Sequence, residues 1–150
     1  MSLDLLPALR DAVIAAPNVT VELATWRNEP AVFTRRPVPE DASDPMVIIN
    51  PPSAVAFADG LSADRPVVRH DIVVYGAKAA PGSPGDQTRV VERIAFAIRD
   101  HLHRNRFSVQ ADGFHVVDVR AGGPIAAPVD DDQTVGRVVS VSVSLNRRLS

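Results

Sequence analysis

The stretch VVRHDIVVY, residues 67–75, decides how the rest of the chain is interpreted. Its residues alternate between two faces, which is the period-two pattern of a β-strand. One face carries Val68, His70, Ile72 and Val74. The other face becomes apolar towards Tyr75, and a strand that is apolar on both faces is typical of the interior of a sheet. The sequence therefore predicts a central strand at 67–75.

The clearest helix follows a loop at 76–87 that contains no large apolar residue. The predicted helix begins at Thr88 and reaches about Arg104. Its apolar residues recur at three- and four-residue spacing: Val91, Ile94, Ala95, Ile98 and Leu102. Three further residues widen this stripe: Val90, Phe96 and Ala97. A stripe of this width predicts that the helix packs deeply on a sheet.

The first residues of the chain are predicted to form a short helix and then a strand. The helix spans 4–16, because Asp4 can cap its start and Pro17 resists its continuation. The segment Thr20–Arg27 alternates in the manner of a half-buried strand. Its predicted buried face carries Val19, Val21 and Leu23.

Two more strands are predicted in the C-terminal third. Phe114–Arg120 follows the turn at Asp112-Gly113, and Val135–Leu149 forms the last strand. In the last strand Val139, Val141, Val143 and Leu145 alternate with Ser140, Ser142, Ser144 and Asn146. One face of this strand is therefore predicted to be core, and the other to be solvated or shared with a partner. The intervening residues 122–132 are predicted to form a loop.

Residues 28–66 are the least regular part of the sequence. Seven of the thirteen prolines fall between Pro30 and Pro66, and they separate short strand candidates at Ala31–Arg35 and Met46–Asn50. Proline cannot donate to a sheet ladder, so such strands belong at edges or are very short. Two interpretations stay open: an ordered surface loop, or a long arm that packs on a neighbouring subunit.

Together these elements predict one α+β domain over residues 1–150, with a mixed, mostly antiparallel sheet and helices packed on one face. The formal net charge of −2 does not indicate general affinity for nucleic acid. There are no cysteines, which excludes disulfides and thiolate sites. No apolar run is long enough for a membrane span, and no secretory signal is predicted, so assembly is expected in a cytoplasm.

No catalytic, metal-binding or cofactor-binding residues are predicted. Asp130-Asp131-Asp132 lacks the alternating ligands of a calcium loop and is interpreted as a solvated turn. His101 and His103 are two positions apart on a helix, so they do not face a common metal. The sequence also contains no nucleophile elbow, no Walker loop and no dinucleotide fingerprint. An enzyme is therefore not expected.

The order of these features resembles the tail-terminator (tail-completion) protein family of long-tailed phages and gene-transfer-agent particles. Four features carry the resemblance: the helix with Leu6, Leu9 and Val13, the proline-rich stretch reaching 45–49, the strand 67–75 with its following helix, and the terminal strand at 137–143. The resemblance spans nearly the whole chain and is one of pattern. The long segment 28–66 and the loop 76–87 depart from it.

The resemblance implies a structural virion protein that forms a ring, with six subunits expected, at the head-proximal end of a tail tube. Such a ring ends tube polymerisation, contacts the tube protein and a neck or connector protein, and lets double-stranded DNA pass through its lumen without specific binding. It would be assembled in the cytoplasm of a bacterial host. Two alternatives stay open: a neck or head–tail connector subunit, and a small α+β enzyme or ligand-binding module.

Two sets of residues are predicted to form contacts between subunits or with DNA. The first lies on the 28–66 arm and would contact a neighbouring subunit: Phe33, Arg35, Arg36 and Phe57. Its basis is the presence of two large apolar residues in an irregular segment. The second set would line the lumen or face a partner: Arg104, Arg106, Arg147 and Arg148. The simpler interpretation of all these arginines is an exposed face with weak ion pairs.

Overall fold

The computed structural model describes residues 4–57 and 65–148, and within strand β5 the side chain of Phe57 is outside the description. Two helices are present, α1 (Leu6–Ala15) and α2 (Thr88–Leu102). The strands are β1 (Thr25–Trp26), β2 (Glu29–Pro30), β3 (Val32–Phe33), β4 (Met46–Ile49), β5 (Ala54–Phe57), β6 (Pro66–Ala77), β7 (Phe114–Ala126) and β8 (Thr134–Arg147).

The main sheet has the strand order β3-β4-β6-β8-β7, and β5 also pairs with β6. Strand β6 is bonded on both sides, which confirms the central strand predicted from residues 67–75. Every pair in the sheet is antiparallel except β3 with β4, which is parallel. The predicted α+β fold with a mixed, mostly antiparallel sheet is therefore confirmed.

Strands β4 and β5 lie one after the other along the same side of β6. Ile49 pairs with Ile72, and Ala54 pairs with Arg69. The segment that carries β4 and β5 therefore advances five residues over a length in which β6 advances three. The two additional residues are accommodated around Pro51-Pro52, where no N–H is available for a ladder. The prolines at 51–52 thus interrupt the pairing along β6, and β4 itself is buried on both faces.

Both helices pack on the same face of the sheet, as predicted. The buried residues of α2 are Val91, Ile94, Ala95, Ile98 and Leu102, and those of α1 are Leu9, Ala12 and Val13. They join one core with the inward residues of the sheet, among them Val47, Ile72, Val139 and Val141. The opposite face carries no helix of the described chain, and it presents the serines of β8 beside charged residues of β6 and β7.

The predicted strand at 20–27 is wrong. Residues 17–22 form successive turns, and only Thr25–Trp26 is extended, as half of a small hairpin with β2. Val19 and Leu23 are buried, but Val21 is 80% exposed. Alternating apolar residues over so short a segment are equally compatible with turns in which every fourth residue faces the core.

Strand β7 is longer than predicted. It continues beyond Arg120 to Ala126, through the residues that were expected to form a loop. The register with β8 shifts between Gly122 and Ile125, so a bulge absorbs Gly123 and Pro124 within the strand. Glycine and proline indicate a break in the local pattern, but here the long partner strand β8 extends the pairing across it.

Candidate subunit-contact surfaces

Phe33 belongs to a small apolar cluster on the sheet face that carries no helix. The ring stands edge-on to the Trp26 ring, with centroids 5.6 Å apart. The buried members of the cluster are Ala31, Met46 and Ile48, and Tyr75 packs against them. The side chain of Phe33 is therefore half-buried by its own chain, and only the remaining part is available to a neighbour.

The two arm arginines lie close to this cluster. Nε of Arg36 donates to Oδ1 of Asn50 at 3.1 Å, and its guanidinium lies 5.8 Å from the centre of the Tyr75 ring. Arg35 is exposed, and together with Phe33 it lines a shallow cavity of about 390 Å³. The structure thus brings three of the four predicted arm residues together.

Phe57 is separated from the other three arm residues. Its backbone pairs with Pro66 at one end of β6, whereas Arg36 contacts Tyr75 near the other end. The nine residue-to-residue steps from Pro66 to Tyr75 span about 30 Å. The side chain of Phe57 lies outside the described residues, so its role as a contact stays a prediction.

Three members of the second predicted set, Arg106, Arg147 and Arg148, lie at one end of the sheet, whereas Arg104 lies beside the middle of β7. The backbone N–H of Arg104 donates to the carbonyl O of Val119 at 2.6 Å. The N–H of Arg148 donates to the carbonyl O of Gly113 at 2.9 Å, and Arg147 pairs across the sheet with Phe114. The guanidinium of Arg106 lies 4.9 Å from the centre of the Phe107 ring. Although 42 positions separate Arg106 from Arg148, the fold places both on one surface.

That surface is a groove of about 820 Å³, called the basic groove below. Its lining residues are Arg106, Phe107, Val109, Gln110, Ala111, Phe114, His115, Val116, Val117, Asn146 and Arg148. Among residues 4–57 and 65–148, no acidic side chain lines it, and neither Arg106 nor Arg148 forms a salt bridge. Phe107 is 78% exposed at the margin of the groove. The groove therefore combines positive charge with exposed apolar surface.

The opposite end of the β7–β8 hairpin is acidic. The connection at 127–133 carries Asp130, Asp131 and Asp132, all exposed, and is called the acidic tip below. Oδ1 of Asp131 accepts a hydrogen bond from the N–H of Gln133 at 2.8 Å, a local turn contact. Across residues 4–57 and 65–148, no three His, Cys, Asp or Glu side chains are grouped to hold a metal ion.

A larger groove, of about 1060 Å³, lies between the 17–22 turns and the outer side of α2. Val21 and half-exposed Phe96 line it, although the sequence pattern predicted both to be buried. Two ion pairs lie beside them: Arg93 contacts Glu22 at 2.9 Å, and Arg137 contacts Glu92 at 3.0 Å. Sequence patterns missed this groove because it depends on the turns that replace the predicted strand.

A solved virion protein shares this fold. The matched chain is from the structure titled "Virion of native gene transfer agent (GTA) particle", with a TM-score of 0.72. The match covers 95% of this chain and 94% of that chain at 17% sequence identity, so the likeness is one of fold. No protein-family model matches the sequence, and no curated protein is significantly similar to it. None of the described helices is long and apolar enough to cross a membrane.

Proposed function

We propose that the chain is a structural virion protein of a phage-type or gene-transfer-agent particle, and within it a ring-forming tail terminator. The observation that carries the proposal is the shared fold with a virion chain over almost the full length of both chains. The resemblance of the sequence pattern to tail terminators supports the finer assignment. The ring would have six subunits and sit at the head-proximal end of the tail tube.

The surfaces of the chain favour a structural role over a small enzyme. In the larger groove Glu22 and Glu92 are held in ion pairs with Arg93 and Arg137, and across the described residues no three His, Cys, Asp or Glu side chains are grouped to hold a metal ion. The exposed features are instead apolar residues beside charges, which is the composition of protein contact surfaces. The partners proposed are other copies of the chain, the tail tube protein and a neck or connector protein.

The sheet face that carries no described helix suits a lumen through which DNA slides. Ser140 donates to Oδ1 of Asp71 at 3.0 Å and accepts from Arg69 at 3.2 Å, and Arg120 donates to Asp118 at 2.9 Å. The charges of Arg69 and Arg120 on this face are thus each accompanied by a negative one. A charge-balanced surface gains little from releasing counterions of DNA, so it would hold the duplex weakly.

The proposal is tested by native mass and by tube length. We expect light scattering across a concentration series to show a discrete hexamer, and we expect the added protein to shorten tubes grown from the cognate tube protein. A protein that stays monomeric across the series and leaves tube length unchanged would contradict the terminator role. A ring of another subunit number that binds only the neck protein would favour a connector.

The predicted arm contact is tested with Arg35→Glu, because Arg35 is exposed and its side chain forms no hydrogen bond or ion pair with another described residue. Arg36→Glu also disturbs the contacts with Asn50 and Tyr75, so the single variants are compared before the double variant. We expect the Arg35→Glu/Arg36→Glu protein to stop forming hexamers while its circular dichroism spectrum stays the same as that of the wild type. An unchanged native mass would remove these arginines from the interface.

A further inference from the structure

The two ends of the β7–β8 hairpin carry opposite charges. The acidic tip holds three consecutive aspartates, and none of them forms a salt bridge with another described residue. The other end holds the basic groove, with Arg106 and Arg148. The whole chain has a formal net charge of only −2, so the separation of charge along this hairpin is a feature of placement and not of composition.

Apolar residues accompany the charges at both ends. Phe107 and half-exposed Val117 border the basic groove. Near the acidic tip, Ile125 is 64% exposed and Val129 is also exposed. Each end therefore offers an apolar contact surrounded by charges of one sign, and the signs are complementary between the ends.

The two ends cannot meet within one molecule. Strand β7 has 13 residues and runs from Phe114, in the groove, to Ala126, next to the tip. A strand of this length spans on the order of 40 Å. A contact between tip and groove therefore requires two copies of the chain, and it joins different surfaces of the two copies. Contacts of this head-to-tail kind form a closed ring when the rotation between subunits closes.

We propose that the acidic tip of one copy binds in the basic groove of the next copy. The inference deepens the proposed function and rests on it, because this contact would be the repeated one that builds the ring. Phe107 provides the apolar anchor, and the arginines and aspartates set the direction and register of docking. Because the charges lie at exposed positions, the contact weakens as ionic strength rises.

Two reversed proteins test the inference. The groove-reversed protein carries Arg106→Glu and Arg148→Glu, and the tip-reversed protein carries Asp130→Arg, Asp131→Arg and Asp132→Arg. Each protein alone has like charges at both ends, so we expect each to be monomeric at a concentration where the wild type is assembled. In an equimolar mixture every tip meets a groove of opposite charge, and we expect the wild-type mass to return.

A control protein with Arg65→Glu and Arg89→Glu carries the same charge change as the groove-reversed protein at exposed positions outside both surfaces. We expect it to assemble like the wild type, and circular dichroism verifies that all variants are folded. Raising the salt from about 0.05 to 0.5 M, which shortens the Debye length roughly threefold, should lower the assembled fraction of the wild type.

The outcomes separate the inference from the proposed function. Wild-type assembly by both reversed proteins, with tube shortening intact, would overturn the inference alone. A groove-reversed protein that still assembles but no longer binds double-stranded DNA would also overturn it. That result would mean that the groove binds DNA phosphates and not the acidic tip. Restoration by mixing without any effect on tube length would support the contact and contradict the terminator role. A wild type that is monomeric at every concentration and leaves tube length unchanged would overturn both.

Discussion

The backbone N–H of Ala121 donates a hydrogen bond to Nδ1 of His103, with 3.1 Å between the two nitrogens. Next to it, the N–H of Arg104 donates to the carbonyl O of Val119, and Arg104 has a positive φ of 57° that directs its amide to β7. Both contacts use backbone groups of β7 on the side away from β8. The C-terminus of α2 therefore covers part of a long edge strand, which reduces unwanted strand pairing.

We expect His103→Ala to loosen this edge. The imidazole acceptor is lost, so the amide of Ala121 should exchange with solvent about fivefold to tenfold faster, corresponding to a hydrogen bond of about 1 kcal/mol. Hydrogen exchange followed by NMR measures the change at this single amide. His101→Ala is the matched control, since the His101 side chain forms no hydrogen bond within the described chain. Equal exchange rates in the wild type and both variants would contradict the role of His103.

His70 is the one polar side chain that the described core buries completely. Its Nδ1 lies 2.8 Å from the carbonyl O of Asn50 and donates to it, while Nε2 is buried without a hydrogen-bond partner among the described residues. We expect His70→Ala to lower the free energy of unfolding by about 2–4 kcal/mol, through a cavity and a lost hydrogen bond. Urea denaturation measures this loss. The exposed strand residue His115 supplies the control, and similar losses in His70→Ala and His115→Ala would show that burial is not the cause.

At Gly76 the backbone of β6 lies close to the first turn of α2. A Cβ at this position would lie 2.5 Å from Cγ2 of Val91 and 3.1 Å from Cβ of Gln87. We expect Gly76→Ala to lower the midpoint of thermal unfolding and to cost about 1–3 kcal/mol, because the helix has to move away from the strand. In Gly122→Ala the new Cβ meets no atom within 4 Å, so its effect should stay within about 0.5 kcal/mol. Equal effects at the two glycines would refute the close approach.

The Thr88 hydroxyl holds the pKa of Asp86 below its ordinary value of 3.8, and the N–H of Ala79 lowers it further. Thr88 Oγ1 donates to Asp86 Oδ1 at 2.8 Å, close to the start of α2. Because the folded-state pKa is depressed, the associated stability is present above about pH 3.8 and is lost as the pH falls through the folded pKa.

Two substitutions separate the hydroxyl from the shape of the side chain. We expect Thr88→Val to raise the pKa of Asp86 towards 3.8, since the largest cause of the shift is removed, and Thr88→Ser to retain the depressed pKa. Titration of the Asp86 carboxyl carbon by NMR measures both. Identical titration curves for the valine and serine variants would mean that the hydroxyl contact does not form in solution.

The helices and long strands could be predicted from the sequence because their patterns are local. The stripe of α2, from Val91 to Leu102, depends only on neighbouring turns, and the alternation of valines and serines in β8 depends only on its own pleat. The polar face of the last strand could be predicted for the same reason. The strand predicted at 20–27 failed because its alternation lacked a partner strand, and the extension of β7 to Ala126 was missed because it depends on β8.

By itself, the sequence determined the α+β class, the two helices, the central strand β6 and the two faces of β8, because short-range periodicity specifies them. Only the tertiary structure decided which charges share a surface. Arg106 and Arg148 line the same groove, while the aspartates of the acidic tip lie at the far end of the β7–β8 hairpin. The physical reason is that strand pairing brings together residues far apart in the chain, and no local pattern encodes that distance.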